Sequence, residues 1–194
     1  AIKKTIEEID SEKQQIELQS PVFFDVDTKV LATVKNDYSS AFDRLFFELP
    51  KDQTKKDLFD NGAVLLDQLY QSGVLQTPYD YDPNQQISIL VDKTQSGVKR
   101  FDSFFLQTNL KSFVESSVED LELEAYKQRY LALFFDVVKP NTQLNKAITQ
   151  VSLEERLSQM KLVRGRVDKQ TLIISKGEVV QGDKYAVLNS LVSE

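Results

Sequence analysis

The sequence predicts an α+β fold: a mostly helical single domain with an inserted β-hairpin and a small C-terminal β element. Three observations support this prediction. Apolar residues recur at helical spacing over most of the chain, two apolar runs near residues 87–101 are separated by a polar loop, and short apolar runs follow residue 161. Hydrophobic residues make up 41% of the 194 positions and charged residues 28%, a composition typical of folded globular domains.

The chain begins with a predicted amphipathic helix over residues 1–18. Its isoleucines lie near one face among Glu, Lys and Gln, at Ile2, Ile6, Ile9 and Ile16. Pro21 ends this helix, because the residue before a proline avoids the α conformation. Residues 22–26 form a short apolar run that we expect to be extended.

A second helix is predicted between Asp27 and Leu49. Asp27 or Thr28 can cap its N-terminus with a side-chain oxygen, and its apolar residues recur every three or four positions. Pro50 then ends the helical pattern.

A third helix is predicted to begin near Thr54. Gly73 is placed to adopt the left-handed conformation just past its C-terminus. Gly62 weakens the prediction, since a glycine inside a helix costs about 1 kcal/mol relative to alanine.

A β-hairpin follows the polar turn region of residues 77–86. Its predicted arms are Ile87–Val91 and Val98–Phe101. Thr94–Gly97 lies between the arms, which predicts a loop longer than the two-residue turns of the tightest hairpins.

Helices are predicted again from residue 108 onward. Thr108 can cap one helix, and a helical pattern continues from Leu121 to Val138, where Pro140 closes it. Ser152 with Glu155 three positions later forms a capping-box pattern, which predicts a short helix through Met160.

The C-terminal part is predicted to contain strands over 162–167 and 171–180 and a last helix capped by Asp183. We interpret residues 1–194 as one domain. A possible subdivision separates a helical body with its hairpin, 1–138, from a small β element with the terminal helix, 139–194.

The chain contains no cysteine and no histidine. This excludes zinc sites built from Cys and His, thiol nucleophiles, Ser-His-Asp triads and imidazole bases. The net charge of −6 argues against a nucleic-acid partner, because phosphate backbones are bound by clustered Lys and Arg.

No segment has the run of about 20 apolar residues that a membrane span requires. The most apolar run, residues 131–138, is short and contains Asp136. The chain starts without an initiator methionine or the apolar core of a signal peptide, so we expect it to be a piece of a longer protein.

Several short motifs occur along the chain in a characteristic order. They are Ser20-Pro21-Val22-Phe23-Phe24-Asp25, Leu69-Tyr70-Gln71-Ser72-Gly73-Val74-Leu75, Lys139-Pro140-Asn141, Val163-Arg164-Gly165-Arg166-Val167 and Lys176-Gly177-Glu178. In this order they resemble the extracytoplasmic domain of bacterial seven-transmembrane HD phosphohydrolases. One position departs from the family pattern, because Lys169-Gln170 stands where the family usually has a lysine-glycine turn.

The resemblance marks a set of positions as family signatures. They are Pro21, Asp25, Tyr70, Gly73, Pro140, Asn141, Gly165, Gly177 and Glu178. Structural roles are sufficient to explain the best matches, since Pro140-Asn141 can end a long helix and Lys176-Gly177-Glu178 can turn a strand.

The resemblance implies a non-catalytic sensor or regulatory domain, on the periplasmic or extracellular side of the inner or cytoplasmic membrane. It implies flanking transmembrane helices and a cytoplasmic HD domain of the same chain as partners, with an unknown extracytoplasmic ligand or protein. Some family members hydrolyse cyclic di-AMP, a cyclic dinucleotide, in the cytoplasm. That chemistry uses His and Asp metal ligands, so the resemblance implies that the divalent metal is bound by the parent HD domain. This segment is expected to bind no cofactor.

Aromatic residues are the candidate contacts for a ligand or partner. Tyr79 and Tyr81, with Phe104 and Phe105 nearby in sequence, either line an apolar groove with polar tips or simply pack as core and rim. Packing alone is the interpretation we favour, because large aromatics dominate domain cores.

Acidic residues offer two further candidates. Asp80–Asn84 begins like a calcium loop, but Gln85 stands where the loop needs glycine, so an exposed turn is favoured. Asp25 with Asp27, or Asp60 with Asp67, resembles a catalytic carboxylate pair, although 30 acidic residues make close pairs common by chance.

Two other functions stay open at this point. One is a stand-alone periplasmic module that binds a ligand or a protein without signalling. The other, less favoured, is a carboxylate-based hydrolase, which would require a pocket with two facing carboxylates.

Overall fold

The computed structural model describes residues 2–165, 173–174, 176 and 179–192. Its helices are α1 (Ile6–Gln19), α2 (Thr28–Leu45), α3 (Gln53–Ser72), α4 (Leu110–Asp120), α5 (Lys127–Val137), α6 (Lys146–Ser158) and α7 (Asp183–Val192). Its strands are β1 (Ile2–Lys3), β2 (Val22–Val26), β3 (Val74–Leu75), β4 (Gln86–Val91), β5 (Thr94–Arg100), β6 (Phe105–Leu106), β7 (Thr142–Leu144) and β8 (Val163–Gly165). These elements confirm the predicted α+β class.

The chain divides into two compact units. The large unit is Val22–Lys146, and the small unit combines Ala1–Pro21 with Ala147–Glu194. This division differs from the subdivision suggested at residues 138 and 139. The N-terminal segment belongs with the C-terminal one because β1 pairs with β8, a long-range contact that sequence periodicity does not report.

The large unit contains a six-stranded mixed sheet in the order β5-β4-β2-β7-β3-β6. Strand β2 pairs in parallel with β4 and antiparallel with β7, while β3 pairs in parallel with both β7 and β6. The hairpin arm β4 is therefore one part of a larger sheet. Strands of two or three residues, such as β3, β6 and β7, are too short to produce a periodic signal in the sequence.

Helices α2 to α5 bury their apolar faces in one cluster, the helical core. Its largest fully buried members are aromatic: Tyr38, Phe42, Phe46, Tyr130 and Phe134. The rings of Phe42 and Phe46 stack with centroids 4.2 Å apart. The Asp27 side chain caps α2 by accepting the Lys29 N–H at 2.9 Å, as predicted.

Gly62 lies in α3 under two tyrosines of the helical core. Tyr38 Oη donates to the Phe59 carbonyl at 2.8 Å, and Tyr130 Oη donates to the Leu58 carbonyl at 2.6 Å. A Cβ at Gly62 would overlap the Tyr38 hydroxyl. The glycine that weakened the helix prediction is thus required by close packing.

The hairpin turn differs from the prediction. Strands β4 and β5 are joined by Asp92 and Lys93, with φ of 49° and 65°, as in a two-residue type I′ turn. The residues predicted as the loop, Thr94–Gly97, belong to β5. Neither turn residue is the glycine that usually marks positive φ, and Asp92 alone is too common a residue to locate the turn.

The long helix predicted through Val138 is interrupted. α4 ends at Asp120, Glu122 has φ of 56°, and a 3-10 turn at Glu124–Tyr126 precedes α5. The interruption lets both helices place apolar residues in the helical core. Thr108 is not a cap, because it lies in the 3-10 turn Gln107–Asn109 before α4.

The small unit joins its N-terminal and C-terminal segments. β1 pairs antiparallel with β8, the Lys3 N–H donates to Ser190 Oγ of α7 at 2.9 Å, and the Lys4 N–H donates to the Leu162 carbonyl at 3.0 Å. α1 begins at Ile6 with a capping box between Thr5 and Glu8, later than the predicted start.

Two predictions for the C-terminal part have different outcomes. The capping box at Ser152 and Glu155 is wrong, because α6 already begins at Lys146 and Ser152 lies inside it. Strand β8 falls within the predicted 162–167 strand. Half of the predicted strand at 171–180 lies outside the described residues, and the described half, 173–174, 176 and 179–180, is not in a strand.

Candidate functional site

Five of the family-signature positions meet in the large unit, where β2, β3 and β7 adjoin. They are Asp25, Tyr70, Gly73, Pro140 and Asn141. Pro21 and Gly165 belong to the small unit, and Gly177 and Glu178 lie outside the described residues. Positions far apart in the chain are thus neighbours in the fold.

Asn141 links the three strands. Its Oδ1 accepts the Val74 N–H at 2.8 Å, and its own N–H donates to the Val74 carbonyl at 3.0 Å. The Asn141 carbonyl accepts the Asp27 N–H at 2.8 Å. Because Asn141 is a buried residue, at 7% exposure, removing its side-chain amide would leave the Val74 N–H without a partner.

At the C-terminal end of α3, Tyr70 and Gly73 contact the segment 139–142, which contains Asn141. Tyr70 Oη donates to the Lys139 carbonyl at 2.7 Å and accepts the Lys139 N–H at 3.0 Å. Burial raises the pKa of the Tyr70 hydroxyl above its usual range, despite the opposing effect of the Lys139 hydrogen bond. Gly73 has φ of 87°, and a Cβ there would lie 2.9 Å from Thr142 Oγ1, so only glycine fits.

Beside these residues is a cleft of about 230 Å³, the β2–β7 cleft. It is lined by Asp25, Asp27, Val30, Gln76, Thr77, Tyr79, Pro140, Asn141, Thr142 and Gln143. The lining is mostly carboxylates, amides and hydroxyls, and it includes no Lys or Arg. Small-molecule sites are usually lined mainly by apolar and aromatic side chains with a few placed polar groups, so this cleft is more polar than most such sites.

The two carboxylates of the cleft each use one oxygen within the protein. Asp25 Oδ2 accepts from Asn145 Nδ2 at 2.9 Å, and Asp27 Oδ1 accepts the Lys29 N–H at 2.9 Å. No described residue donates a hydrogen bond to the second oxygen of either carboxylate. Each aspartate therefore has a structural role and one acceptor atom left over.

The aromatic candidates are divided by the sheet. Tyr79, Tyr81 and Phe104 gather around the buried Phe24, with ring centroids 5.2, 6.3 and 5.5 Å from it. Phe105 belongs to the helical core, where its ring is 5.4 Å from that of Phe113. Burial, followed by the neighbouring Tyr79, raises the pKa of the Tyr81 hydroxyl.

Of these aromatics, Tyr79 is the one that also lines the β2–β7 cleft. Its Oη accepts the Leu144 N–H at 3.3 Å, so its hydroxyl proton is available to an acceptor in the cleft. The rings of Tyr81 and Phe104 pack on Phe24, and Phe24 in turn packs on the Tyr79 ring. The aromatic cluster therefore packs as core and presents one polar tip.

The other acidic candidates are not brought together into a site. The Asp67 carboxylate pairs with Lys35 at 2.8 Å on the surface. At the suggested calcium loop, Asp82 Oδ1 accepts the Asn84 N–H at 2.8 Å, which makes a solvent-exposed turn. In the described part of the chain, no group of three or more His, Cys, Asp or Glu residues is arranged to hold a metal ion.

Sequence reasoning missed four of the ten residues that line the cleft. Gln76, Thr77, Thr142 and Gln143 line it but belong to no pattern that predicts a site. Thr142 and Gln143 directly follow the Pro140-Asn141 motif, which was the one available signal. Gln76 and Thr77 reach the cleft only because β3 pairs with β7.

The chain belongs to the family described as 7TM-HD extracellular, whose family model matches residues 4–193. The family is the extracellular domain of seven-transmembrane HD proteins, which places this chain outside the cytoplasm. No curated protein and no solved structure matches the chain. No helix in the described residues has both the length and the hydropathy to cross a membrane.

Proposed function

We propose that this chain is the non-catalytic sensory domain of a membrane-anchored HD phosphohydrolase that hydrolyses a cyclic dinucleotide, such as cyclic di-AMP, in the cytoplasm. The observation that carries the proposal is the family match over residues 4–193. The extracytoplasmic domain would regulate the cytoplasmic reaction through the transmembrane helices of the same chain. The β2–β7 cleft is the proposed place where the signal is received.

The connectivity of β2 and β7 supports this function. Asp25 and Asn141–Gln143 line the cleft at one end of the strand pair. At the other end, the Asn145 N–H donates to the Phe23 carbonyl at 2.8 Å, and the chain continues into the small unit after Lys146 and before Val22. A change in the cleft therefore acts on the two strands that lead directly to the small unit.

The construction of the small unit also supports it. The unit holds the N-terminal strand β1 and the C-terminal helix α7 together through the β1–β8 pairing and the Lys3 to Ser190 hydrogen bond. We propose that this unit passes the signal to the transmembrane helices. A ligand would shift the populations of two arrangements only as far as its affinities for them differ.

A reversible cross-link tests this function. The chain has no cysteine, so Lys3→Cys with Val163→Cys, facing positions of β1 and β8, creates a single new disulfide in it. In the full-length protein reconstituted in membranes, oxidation should change the rate of cyclic di-AMP hydrolysis by about fivefold or more, and reductant should restore it.

The matched control is Gln86→Cys with Arg100→Cys, which face each other across β4 and β5 inside the large unit. This cross-link should leave the rate unchanged. If hydrolysis were the same in the oxidised and reduced states of the β1–β8 pair, the proposed coupling would be wrong.

A further inference from the structure

We propose that the open edge of strand β5 binds an extended peptide segment that carries acidic side chains. This surface shares no residue with the β2–β7 cleft, so the proposal goes beyond the sensory function proposed above and adds a protein partner to it. Three observations support it: an unpaired strand edge, backbone groups on that edge that point away from the sheet, and a cationic groove at its end.

Strand β5 is the outermost strand on one side of the six-stranded sheet. Among the described residues, β4 is its one strand partner. It spans the seven residues Thr94–Arg100, all of which are exposed except the half-buried Lys99. An exposed edge strand is a template for a strand from another chain, so β5 can extend the sheet by one strand.

Natural edge strands are usually protected against such pairing by short length, proline, bulges or charged side chains. β5 contains no proline, and its register irregularity lies opposite Ile89 and Leu90, at the end near the hairpin turn. The Lys99 ammonium donates to two carbonyls at the end of α3, at 2.5 and 3.4 Å, so it is held there and does not protect the edge. The last residues of β5, Gly97–Arg100, therefore form a regular and open edge.

The hydrogen-bond pattern shows which backbone groups face the open side. The Phe101 N–H donates to the Gln85 carbonyl at 2.9 Å. Hydrogen-bonded and non-bonded pairs alternate along antiparallel strands, so the peptide groups of Val98 and Arg100 point away from β4. The Ser103 hydroxyl already donates to the Arg100 carbonyl at 2.7 Å. The Val98 N–H, the Val98 carbonyl and the Arg100 N–H are thus left for an incoming strand.

A groove beside the end of β5, the β5 groove, selects the charge of the partner. Two cations, two amides and two hydroxyls line it, and no Asp or Glu does: Gln68, Gln71, Ser72, Lys99, Arg100 and Ser103. Arg100 pairs with Asp102 through Nη2, which engages one of its three guanidinium nitrogens. On a chain with a net charge of −6, this lining favours a carboxylate.

The edge and the groove together define the pattern of the peptide. Successive side chains of a strand point to opposite faces, so a peptide paired with β5 presents every second side chain to the face of Lys99. An acidic side chain there accepts charge-assisted hydrogen bonds from the β5 groove. An apolar side chain on the other face covers Val98, which is 53% exposed. Backbone pairing then supplies affinity, and the acidic side chains supply selectivity.

A peptide titration followed by NMR tests the proposal. The probe is the capped peptide Thr-Glu-Val-Glu-Val-Thr, added to the isotope-labelled chain. The amide signals of Val98 and Arg100 should move saturably. The matched peptide Thr-Lys-Val-Lys-Val-Thr should bind about fivefold or more weakly, because its charge is reversed. Raising the NaCl concentration should weaken binding of the glutamate peptide.

Backbone N-methylation of the peptide separates strand pairing from charge attraction. Alternate N–H groups of a strand point to opposite edges, and one edge of the peptide faces β5. Methylation of one alternate set of N–H groups should therefore abolish binding, and methylation of the other set should leave it unchanged. Charge attraction alone would not distinguish the two methylated peptides.

A charge variant locates the acidic side chain. Arg100→Gln removes one cation from the β5 groove, so it should weaken binding of the glutamate peptide by about fivefold. Arg44→Gln is the matched control. Arg44 is also an exposed arginine paired with an aspartate, Asp136, at 2.7 Å, and it does not line the β5 groove.

Several results would overturn the proposal. They are no saturable movement with the glutamate peptide, equally tight binding of the lysine peptide, undiminished binding of both methylated peptides, or equal weakening by Arg44→Gln. Concentration-dependent movement of the Val98 and Arg100 signals without peptide would also overturn it, because it would assign the edge to a second copy of the chain. The titration involves no cytoplasmic activity, so its failure and the failure of the cross-linking experiment are independent results.

Discussion

The large and small units differ in how much apolar surface they bury. The large unit has two hydrophobic clusters, the helical core and the aromatic cluster around Phe24. Among the described residues of the small unit, Val187 is the one buried hydrophobic residue, and neither α1 nor α6 has a buried residue. Ile6, at 78% exposure, and Val151 are apolar side chains that the small unit leaves in solvent.

The two units therefore differ in how much of their stability apolar burial can supply. Burial of apolar surface is the main favourable contribution to folding, and among the described residues most of that burial lies in the large unit. Segments with few buried contacts open at low free-energy cost, and elements that move in regulation come from such segments. The comparison thus agrees with a rigid receiver and a small unit that passes on the signal.

The largest expected effect is in the helical core. Phe46 is fully buried and stacked on Phe42, so Phe46→Ala should lower the free energy of unfolding by about 3–5 kcal/mol. Its neighbour Phe47 is 72% exposed, so Phe47→Ala should change it by less than about 0.5 kcal/mol. Urea unfolding followed by circular dichroism measures both, and equal losses would contradict the assigned core.

A smaller effect is expected at Gly62. An alanine there would displace the Tyr38 hydroxyl, so Gly62→Ala should cost about 2 kcal/mol instead of stabilising the helix. In a Tyr38→Phe background the clashing oxygen is absent, and the same substitution should cost clearly less. A double-mutant cycle by urea unfolding measures this coupling, and additive costs would show that the two residues do not touch.

Alkaline pH should weaken the large unit in particular. Burial raises the pKa of the Tyr38 hydroxyl above the ordinary value of 10.0, and the nearby Tyr130 adds to this increase. Burial also raises the pKa of the Tyr130 hydroxyl, and there the nearby Tyr126 adds to the increase. Below pH 10 both states keep these protons, and above it the unfolded chain ionises first. Stability should therefore fall as the pH rises past 10.

The double variant Tyr38→Phe with Tyr130→Phe tests this origin. Its urea midpoint will be lower at every pH, but it should fall less steeply between pH 9 and pH 11 than that of the unmodified chain. An unchanged slope would assign the alkaline loss to other groups.

The smallest effect is expected in the small unit. Ile6→Ala removes a side chain that is already in solvent, so it should change the free energy of unfolding by less than about 0.5 kcal/mol. Urea unfolding of the full chain measures it, with Leu66→Ala in the helical core as the destabilising reference. A loss of 2 kcal/mol or more at Ile6, of the order seen for buried aliphatic residues, would show that α1 is covered.

Much of the helical structure was predictable because its signals are local. Asp27 caps α2 and Gly73 takes a positive φ after α3, as expected from residue type and position alone. The interruption at Glu122 and the turn at Asp92-Lys93 were not predictable, since neither contains the glycine that normally marks positive φ.

The candidate site was predictable only in part. The family motifs marked Asp25 and Asn141 as structural positions, and the aromatic pattern offered Tyr79 as a candidate contact. That these residues share one cleft was not visible, because the contacts that form it are long-range; the hydrogen bond from Asn145 to Asp25 joins residues 120 positions apart. Gln76 and Thr142 carry no signal of their own.

Residue type, spacing and order along the chain were sufficient to predict the α+β class, the Asp27 cap of α2 and the family. Three features depend on long-range contacts: the pairing of β1 with β8, the need for glycine at position 62 beside Tyr38, and the cleft beside Asn141. The reason is that strand pairing and close packing depend on which distant segments meet, and local periodicity contains no information about that choice.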